Sequence, residues 1–399
     1  MSWLQQHLAS ILDRLPAHRL LAIDALRGIT ITAMILVNNP GSWSHIYAPL
    51  KHAHWHGWTP TDLIFPFFIF IVGISISISV GRQMANGQNR LSIVQHAAIR
   101  TLKLFLLGWF LALFYYNFRD PDFSWLTQRL EQIRILGVLQ RIGLVYFFTV
   151  LLVLGWKTSG RIIWMIAILL GYWLMMTQVA YSDSAGNVYQ GLFEYGNNLS
   201  AWLDNLLMDK SHLYYPDATP FAFDPEGVLS TLPAVAGCLS GVLVGQWLTS
   251  AASSNSRKAN LLLLAGLAAI VTGECWNILF PINKALWTSS FVLLSSGYAC
   301  LVLGALLWLI DIKQQRSWTA PFVVFGANSI AFFMFAGVVA RILIMIPVAD
   351  TSLKGWLYTA IYQPILGDLN GSLAFAISFL IVSYLVMYQM YRKGIFWKV

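Results

Sequence analysis

Residues 52–70 read HAHWHGWTPTDLIFPFFIF, and they join a histidine cluster to the start of an apolar helix. Thr59, Pro60 and Asp62 stand in the order of a helix cap, a first helical residue and a side chain that returns to the cap. Almost every residue after Asp62 is apolar, which is typical of a helix that crosses a membrane. The sequence therefore places the histidines on a loop that leads directly into a membrane helix.

His52, His54 and His56 make this loop a candidate reaction centre. They are three of the eight histidines of the chain. Imidazole takes up and returns a proton near neutral pH, which suits it to acid–base or nucleophilic chemistry. The alternative is a structural role for these rings. Alternating histidines in a loop are not a strong zinc-ligand pattern, so no metal site is predicted.

The composition of the whole chain is that of a polytopic membrane protein. Of its 399 residues, 57% are hydrophobic and 11% are charged, and the mean hydropathy is +0.64. Such values exclude a pair of soluble domains. The net charge of +8 is spread over short loops, where basic residues set membrane topology, so it does not indicate nucleic-acid binding. The three cysteines lie in apolar segments and are predicted to be packed thiols.

Hydropathy predicts an all-α bundle of about ten transmembrane helices that forms one domain over residues 1–399. The predicted spans are residues 20–38, 62–80, 102–118, 136–155, 161–180, 228–248, 260–280, 287–310, 320–340 and 371–391. A shorter stretch at 355–366, interrupted by Pro364, is expected to be interfacial or re-entrant. The distribution of Lys and Arg favours both termini in the cytoplasm. The long loop 181–227 is then periplasmic, with an amphipathic helix predicted near residues 199–208.

Polar residues cluster at the predicted outer ends of the spans, so the sequence predicts an outward-facing polar cup. They are Asn38 after the first span, Gln140 and Arg141 in the fourth, Asp224 and Glu226 before the sixth, and Asn283 and Lys284 before the eighth. Asp62 and Asp224 each have a simpler alternative role, in which the side chain caps a helix and takes no part in the chemistry. Arg141 stands in an apolar span and needs a carboxylate, a carbonyl or a ligand phosphate as its partner.

Two further polar sites fall inside predicted spans, where such residues are functional candidates. Asp24 and Arg27 are three residues apart on the first helix. They either neutralise one another or hold an anionic ligand at the inner end. Asn328 lies within the ninth predicted span and needs partners inside the bundle.

A series of motifs resembles the transmembrane acetyltransferase family of heparan-α-glucosaminide N-acetyltransferase and its bacterial relatives. The motifs, in chain order, are LAIDALRG at 21–28, VN at 37–38, KHA at 51–53 with Trp55 and Gly57, DLIFP at 62–66, LQRIG at 139–143, DPEG at 224–227, PINKALW at 281–287 and NSI at 328–330. Each motif is weak alone, and their common order along nearly the whole chain makes the resemblance strong. The first motif is also similar to membrane O-acyltransferases that modify surface polysaccharides.

The resemblance implies transfer of the acetyl group of acetyl-CoA to the amino group of glucosamine or a related amino sugar. It implies that His52 is the active histidine, with Asn38 and Asp62 as catalytic partners. His52 either acts as a general base or carries the acetyl group itself. Arg27, Arg141 and Lys284 are candidates for the CoA phosphates. The resemblance further suggests a homodimer in a bacterial inner membrane.

The predicted substrate and cofactor site is broader than the catalytic trio. It comprises Asp24, Arg27, His56, Gln140, Arg141, Asp224, Glu226, Asn283, Lys284 and Asn328. The chain departs from the animal enzymes at His54 and His56, which favours a different acceptor, such as a free amino sugar or a wall- or chitin-derived fragment. Two alternatives stay open: an amino-sugar transporter, and an O-acyltransferase acting on surface glycans. The halves of the chain show no clear repeat of the kind common in transporters.

Overall fold

A computed structural model describes residues 8, 11–13, 20–251 and 253–397. Its α-helices are α1 (Leu21–Asn38), α2 (Ile64–Ala85), α3 (Arg90–Leu113), α4 (Val138–Gly155), α5 (Thr158–Gln178), α6 (Leu199–Leu207), α7 (Thr231–Thr249), α8 (Asn255–Asn277), α9 (Ser289–Leu307), α10 (Ala320–Ala327), α11 (Ser329–Met345), α12 (Leu353–Leu357), α13 (Gln363–Leu366) and α14 (Asp368–Arg392). Three two-stranded antiparallel hairpins pair β1 (Ala180–Ser182) with β2 (Val188–Gln190), β3 (Phe193–Glu194) with β4 (Asn197–Asn198), and β5 (Pro347–Val348) with β6 (Thr351–Ser352).

The predicted helical membrane bundle is confirmed. Within the described ranges, nine helices are long and apolar enough to cross a bilayer, and a bent pair of helices raises the number to ten if it counts as one span. The third helix differs most from its predicted bounds of 102–118. It begins at Arg90, because the side chain of Asn89 accepts a hydrogen bond from the amide of Leu91 and caps it. It ends at Leu113, so hydropathy had located the apolar part of a longer helix.

One predicted span, 320–340, is broken. Helices α10 and α11 meet at an angle of 73°. Asn328 lies at the break with non-helical backbone angles, φ −128° and ψ 43°. Its side chain binds two backbone groups near the C-terminus. Its Nδ2 donates to the carbonyl of Ile395 at 2.8 Å, and its Oδ1 accepts from the amide of Trp397 at 2.9 Å. The interior partners that Asn328 requires are therefore backbone groups of the C-terminal segment.

Helices α2 and α7 pack closely at the centre of the bundle because glycine lets their backbones touch. A Cβ atom added to Gly73 would lie 2.0 Å from the carbonyl oxygen of Cys238, and one added to Gly241 would lie 2.0 Å from that of Phe70. Small residues permit this close approach in membrane helices, where apolar burial against lipid gives little driving force. The loop of residues 52–63 leads directly into α2, the first helix of this pair.

We expect Gly241→Ala to destabilise the bundle, because its new methyl group overlaps the backbone of Phe70. Overpacking of this kind costs about 1–3 kcal/mol. The measurement is the thermal unfolding midpoint of the purified protein in detergent, which should fall by several degrees. Gly81→Ala is the matched control, since a Cβ at Gly81 meets nothing within 4 Å. Equal midpoints for the two variants would show that α2 and α7 can separate without loss.

The segment between α5 and α7 forms a small cap over one end of the bundle. It contains β1–β4 and α6, which confirms the amphipathic helix predicted near residues 199–208. Its own apolar cluster includes Tyr181, Leu199 and Phe221, with Trp55 of the histidine loop packed against it. The indole of Trp55 donates to the carbonyl of Phe193 at 2.7 Å. The cap and the histidine loop therefore form one layer, and we call this side of the bundle the histidine end.

The stretch predicted at 355–366 is helical in short pieces: α12, a π-helical turn at Tyr358–Tyr362, and α13. Ile361 and Ile365 are exposed on it. Its interfacial or re-entrant position stays a prediction.

Candidate active site

His52 is bound to Asp62 at the histidine end. Its Nδ1 lies 2.6 Å from Oδ1 of Asp62, whose side chain is 1% exposed whereas that of His52 is 52% exposed. The other carboxylate oxygen accepts from the amides of Ala53 at 2.9 Å and Thr59 at 3.0 Å. A ring held through Nδ1 presents Nε2 to a reacting group, as in a histidine oriented by a buried carboxylate.

The helix-capping pattern explains this geometry. Thr59 and Asp62 form a capping box at the start of the turn Pro60–Leu63, as the sequence predicted. In this capping box the Asp62 carboxylate turns back toward the loop that carries His52. Asp62 thus serves as both the cap and the partner of histidine, and the two alternatives open at the sequence level coexist.

Lys284 joins this pair from a distant loop. Its Nζ lies 3.6 Å from Oδ1 of Asp62 and 3.1 Å from Nδ1 of His52. Burial lowers the pKa of Lys284, and the nearby carboxylates of Asp62 and Glu226 oppose that shift. Lys284 and the imidazole of His52 therefore both approach the same carboxylate oxygen, Oδ1 of Asp62.

Asn283 fastens the loop of Lys284 to the histidine loop. It is fully buried, and its Nδ2 donates to the carbonyl of Trp55 at 3.0 Å and lies 3.4 Å from Nδ1 of His56. The amide of Gly57 donates to the carbonyl of Ile282 at 2.8 Å. Burial lowers the pKa of His56, which favours its neutral form. Asn283 thus holds two site loops in register.

A cavity of about 300 Å³ opens beside His52. Its polar lining residues include Asn38, His52, His54, Asp62, Arg134, Glu226 and Lys284. Five of these belong to the predicted site: Asn38, His52, Asp62, Glu226 and Lys284. Residues that lay far apart in the sequence therefore converge on one space at the histidine end.

Arg134 is the charged lining residue that sequence reasoning missed. Its Nε and Nη2 donate to the two carboxylate oxygens of Asp224 at 2.7 and 2.6 Å, and Nη2 also binds Glu226. Burial opposes its charge, but the two carboxylates raise the pKa of Arg134 above its ordinary value. The sequence offered one signal for this ion pair: an arginine stands just ahead of the fourth predicted span, and the motif at 224–227 contains two acids that could partner it. Bidentate pairing of this kind fixes both partners.

Gln140 and Arg141 lie behind the cavity. Arg141 is fully buried, donates to the carbonyl of Gly227 at 3.1 Å and also binds Ser230. Its guanidinium lies 5.1 Å from the ring centre of Trp287. Gln140 is buried against α3, with Nε2 3.5 Å from the carbonyl of Phe105. The structure thus places Arg141 against the acidic turn at 224–227 and Gln140 against α3. Both residues lie outside the linings of the described cavities.

A second cavity of about 360 Å³ lies toward the opposite end of the bundle. Arg27 and Arg100 line it, and Arg27 is held by Ser75 at 2.9 Å. Asp24 is 3.4 Å from Arg27, as the helical spacing predicted. Residues beside the break at Asn328 and the ring of Trp397 also line this cavity. It offers positive charge to an anionic ligand.

The two cavities adjoin inside the bundle. Met34, Val138 and Phe333 line both of them. These three apolar side chains therefore lie between the cavity of Arg27 and the cavity of His52.

Comparison with known proteins identifies the family of the chain. A family model described as the catalytic part of heparan-alpha-glucosaminide N-acetyltransferase matches residues 19–274. The chain belongs to this family. The chain is similar to heparan-alpha-glucosaminide N-acetyltransferase of Homo sapiens, with 29% identity over 79% of this chain and 52% of the relative. The Mus musculus protein of the same name is 30% identical over 80% of this chain and 54% of the relative. The chain spans about half the length of these curated relatives.

The resemblance read from the motifs is thus confirmed. The part of this N-acetyltransferase family member that the family model matches contains His52, Asp62, Arg134 and Glu226. Lys284 lies beyond that part, and the fold returns it to the same cavity.

No metal group is evident among the residues that the structure describes. Their His, Cys, Asp and Glu side chains form no cluster of three or more placed to hold an ion. The expectation that this family member uses no metal stays a prediction.

A buried acid, Asp204 on α6, ties the cap of this family member to the site. It is fully buried and accepts from the amides of Asp224 at 3.2 Å and Val228 at 3.0 Å. Burial raises the pKa of Asp204 to about 7, and the neighbouring Asp224 adds to the shift while backbone hydrogen bonds and Arg141 oppose it. The folded cap therefore keeps a proton that the unfolded chain loses at lower pH.

This shift predicts a pH-dependent stability. Between about pH 4 and about pH 7 the folded state binds more protons than the unfolded state, so the stability contributed by Asp204 falls as pH rises through that window. Asp204→Asn removes this titratable group, so stability should fall less with rising pH in the variant. We expect the thermal midpoint of the variant to gain on the wild type between about pH 5 and about pH 8. The exposed Asp209→Asn should track the wild type. A constant offset for Asp204→Asn would mean that Asp204 is ionised throughout.

Proposed function

We propose that this protein is a membrane acetyltransferase that moves the acetyl group of acetyl-CoA to the amino group of glucosamine or a related amino sugar. One observation carries the proposal: the His52–Asp62 pair lies in a cavity that adjoins a second, positively charged cavity. Two substrates approaching from opposite ends would meet at the histidine. The family of the chain supports the reaction class.

His52 acts on the amine in this proposal. In direct transfer, Nε2 accepts a proton from the amino group as its nitrogen attacks the thioester carbonyl. The tetrahedral intermediate then collapses, the C–S bond breaks, and the thiol of CoA leaves after taking up a proton. General-base assistance of this kind is worth about 10²–10⁴-fold in rate. In the other route Nε2 is the nucleophile, carries the acetyl group, and gives it to the amine in a second step.

Asp62 and Asn38 assist in both routes. Asp62 holds the ring through Nδ1 and balances the positive charge that develops on it. Asn38 lines the same cavity and can donate from its side-chain amide to the oxygen of the tetrahedral intermediate. A donor aimed at such an oxygen is typically worth about 3–4 kcal/mol in the transition state.

The donor enters from the opposite end. Arg27 and Arg100 supply cationic contacts for its phosphates, and the apolar junction at Met34, Val138 and Phe333 suits the uncharged arm that carries the thioester. With both termini in the cytoplasm, this end faces the compartment that contains acetyl-CoA. We place the protein in a bacterial inner membrane and propose a homodimer, as the sequence resemblance suggests.

The broken span supports a second candidate, an amino-sugar transporter. Its break at Asn328 borders the cavity of Arg27, and discontinuous helices at a central site are common in transporters. The two cavities also adjoin along the axis of the bundle, where a solute would cross the membrane. An O-acyltransferase differs from the first proposal only in the acceptor group.

Purified protein in detergent, given acetyl-CoA and glucosamine, should release free thiol continuously. Thiol release that requires the amine, and is absent with a sugar that has only hydroxyl groups, supports the N-acetyltransferase. Release with the hydroxyl sugar alone would favour the O-acyltransferase. If neither sugar gives thiol release, and proteoliposomes accumulate radiolabelled glucosamine unchanged, the enzyme proposal is wrong and the transporter stands.

A further inference from the structure

An aromatic rim borders the mouth of the His52 cavity. It consists of Trp55, Tyr195, Tyr214 and Tyr215, all of which line the cavity. The ring centres form a chain: Trp55 to Tyr195 at 5.3 Å, Tyr195 to Tyr215 at 5.4 Å, and Tyr215 to Tyr214 at 4.7 Å. The rim therefore runs from the histidine loop outward across the cap.

The outer rings of this rim are open to solvent. Tyr195 is 46% exposed and Tyr214 is 53% exposed. Both are nevertheless fixed, since Tyr195 packs edge-on against Phe223 at 5.1 Å and the guanidinium of Arg134 lies 4.5 Å from the centre of the Tyr214 ring. Rigid, exposed aromatic rings at a cavity mouth are typical of ligand contact surfaces. Ring faces also attract ammonium groups.

The charge of the cap favours a cationic ligand at this rim. Residues 181–227 carry seven acidic residues and one lysine. Three of the acids are buried, so the acidic surface charge of the cap comes from the other four, Asp183, Glu194, Asp209 and Asp217. Glu194 and Asp217 are exposed close to Tyr195 in the chain or in space. A surface of one sign raises the local concentration of ligands of the other sign and repels like charge. Sulfated or carboxylated sugars are therefore poor matches for this rim.

The cavity itself is small for a longer acceptor. Ligand pockets range from about 300 to about 1,000 Å³, and this one is about 300 Å³. It must hold the reacting sugar and the acetyl end of the donor together. Any further sugar joined to the first would lie on the rim.

We propose that the aromatic rim is a second sugar subsite, which binds the neighbouring unit of an oligomeric acceptor made of unacetylated amino sugars. The inference rests on the proposed N-acetyltransferase function and names its substrate class. The ammonium of the neighbouring unit lies over a tyrosine face within the acidic field of the cap. The reacting unit places its amine at His52.

The test compares acceptors of matched size. Glucosamine, a glucosamine disaccharide and a disaccharide of glucosamine with glucuronic acid are assayed by thiol release. We expect kcat/KM to be highest for the glucosamine disaccharide and lowest for the uronic-acid disaccharide. Tyr195→Ala should lower the ratio of kcat/KM for the glucosamine disaccharide to that for glucosamine by about fivefold or more. Tyr195→Phe keeps the ring and should keep the ratio. An unchanged ratio in Tyr195→Ala would overturn the inference.

A binding measurement separates this inference from the proposed function. Calorimetric titration of the glucosamine disaccharide into His52→Ala protein needs no turnover. Weaker binding after a second substitution, Tyr195→Ala, supports the subsite even if the wild type transfers no acetyl group. If the wild type transfers acetyl to glucosamine, but the disaccharide binds equally tightly to His52→Ala and to the double variant, the proposed enzyme function stands and the rim subsite is overturned.

Discussion

Replacing His52 by alanine is expected to lower kcat for acetyl transfer to glucosamine by about 10²–10⁴-fold. The substitution removes the only imidazole bound to Asp62 among the described residues. In direct transfer it removes the base, and in the two-step route it removes the acetyl carrier, so both routes predict a large loss. The measurement is the initial rate of thiol release from acetyl-CoA by the purified protein in detergent. Size-exclusion elution and thermal midpoint should match the wild type, because the His52 side chain is half exposed.

His96→Ala is the matched control for this substitution. His96 is an exposed histidine on α3 whose Nδ1 contacts the backbone oxygen of Ser92, outside the cavity of His52. Its variant should retain full activity. His54 and His56 provide the competing assignment, because His54 lines the same cavity. If His52→Ala were as active as His96→Ala, the enzyme would remain and the catalytic role would pass to one of these two residues.

An experiment on the wild-type protein distinguishes the two routes of transfer. Wild-type protein incubated with labelled acetyl-CoA and no acceptor should retain label on His52 only in the two-step route. Direct transfer leaves the protein unlabelled while thiol release still depends on the amine.

The return of Asp62 to the histidine loop could be predicted because it is local, whereas the family resemblance supplied His52 as its partner. A capping box returns the third helical side chain to the residue ahead of the helix, and His52 lies a few residues before that cap. The spans could also be predicted from local sequence, since about 20 apolar residues are needed to cross a bilayer. It located the ends of α3 poorly, because hydropathy does not detect the capped, polar first turns of a helix that extends past the apolar layer.

The partners of Arg134 could not be predicted because they are distant. Asp224 lies 90 residues away in the chain, and a single sequence carries no signal for which of many outer acids an arginine meets. The same limit applies to Arg141. The sequence correctly indicated that Arg141 needs a partner, but it did not indicate that the partners are Gly227 and Ser230. Burial of a polar group can be inferred from its apolar surroundings, whereas the identity of its partner depends on the packing of separate helices.

Arg134→Met should destabilise the protein strongly. The carboxylate of Asp224 is fully buried, so loss of the guanidinium leaves a buried charge whose main cationic partner is gone. Removing one member of a buried ion pair costs about 3–5 kcal/mol. Methionine keeps the length of the side chain and its apolar contacts, so the loss reports on charge. The measurement is the free energy of unfolding in a detergent-based denaturant titration.

A second substitution distinguishes the ion pair from simple packing. Asp224→Asn in the Arg134→Met background removes one of the two buried carboxylates that lost Arg134, while Glu226 remains. We therefore expect the double variant to recover part of the lost stability. The coupling between the two changes should exceed about 1 kcal/mol, as it does for residues in one buried network. Arg119→Met is the control, since Arg119 is exposed on the same loop and should change stability by no more than about 0.5 kcal/mol. An Arg134→Met protein as stable as this control would mean that water reaches Asp224, and the acidic turn at 224–227 would then be solvated and could not form a fixed wall of the His52 cavity.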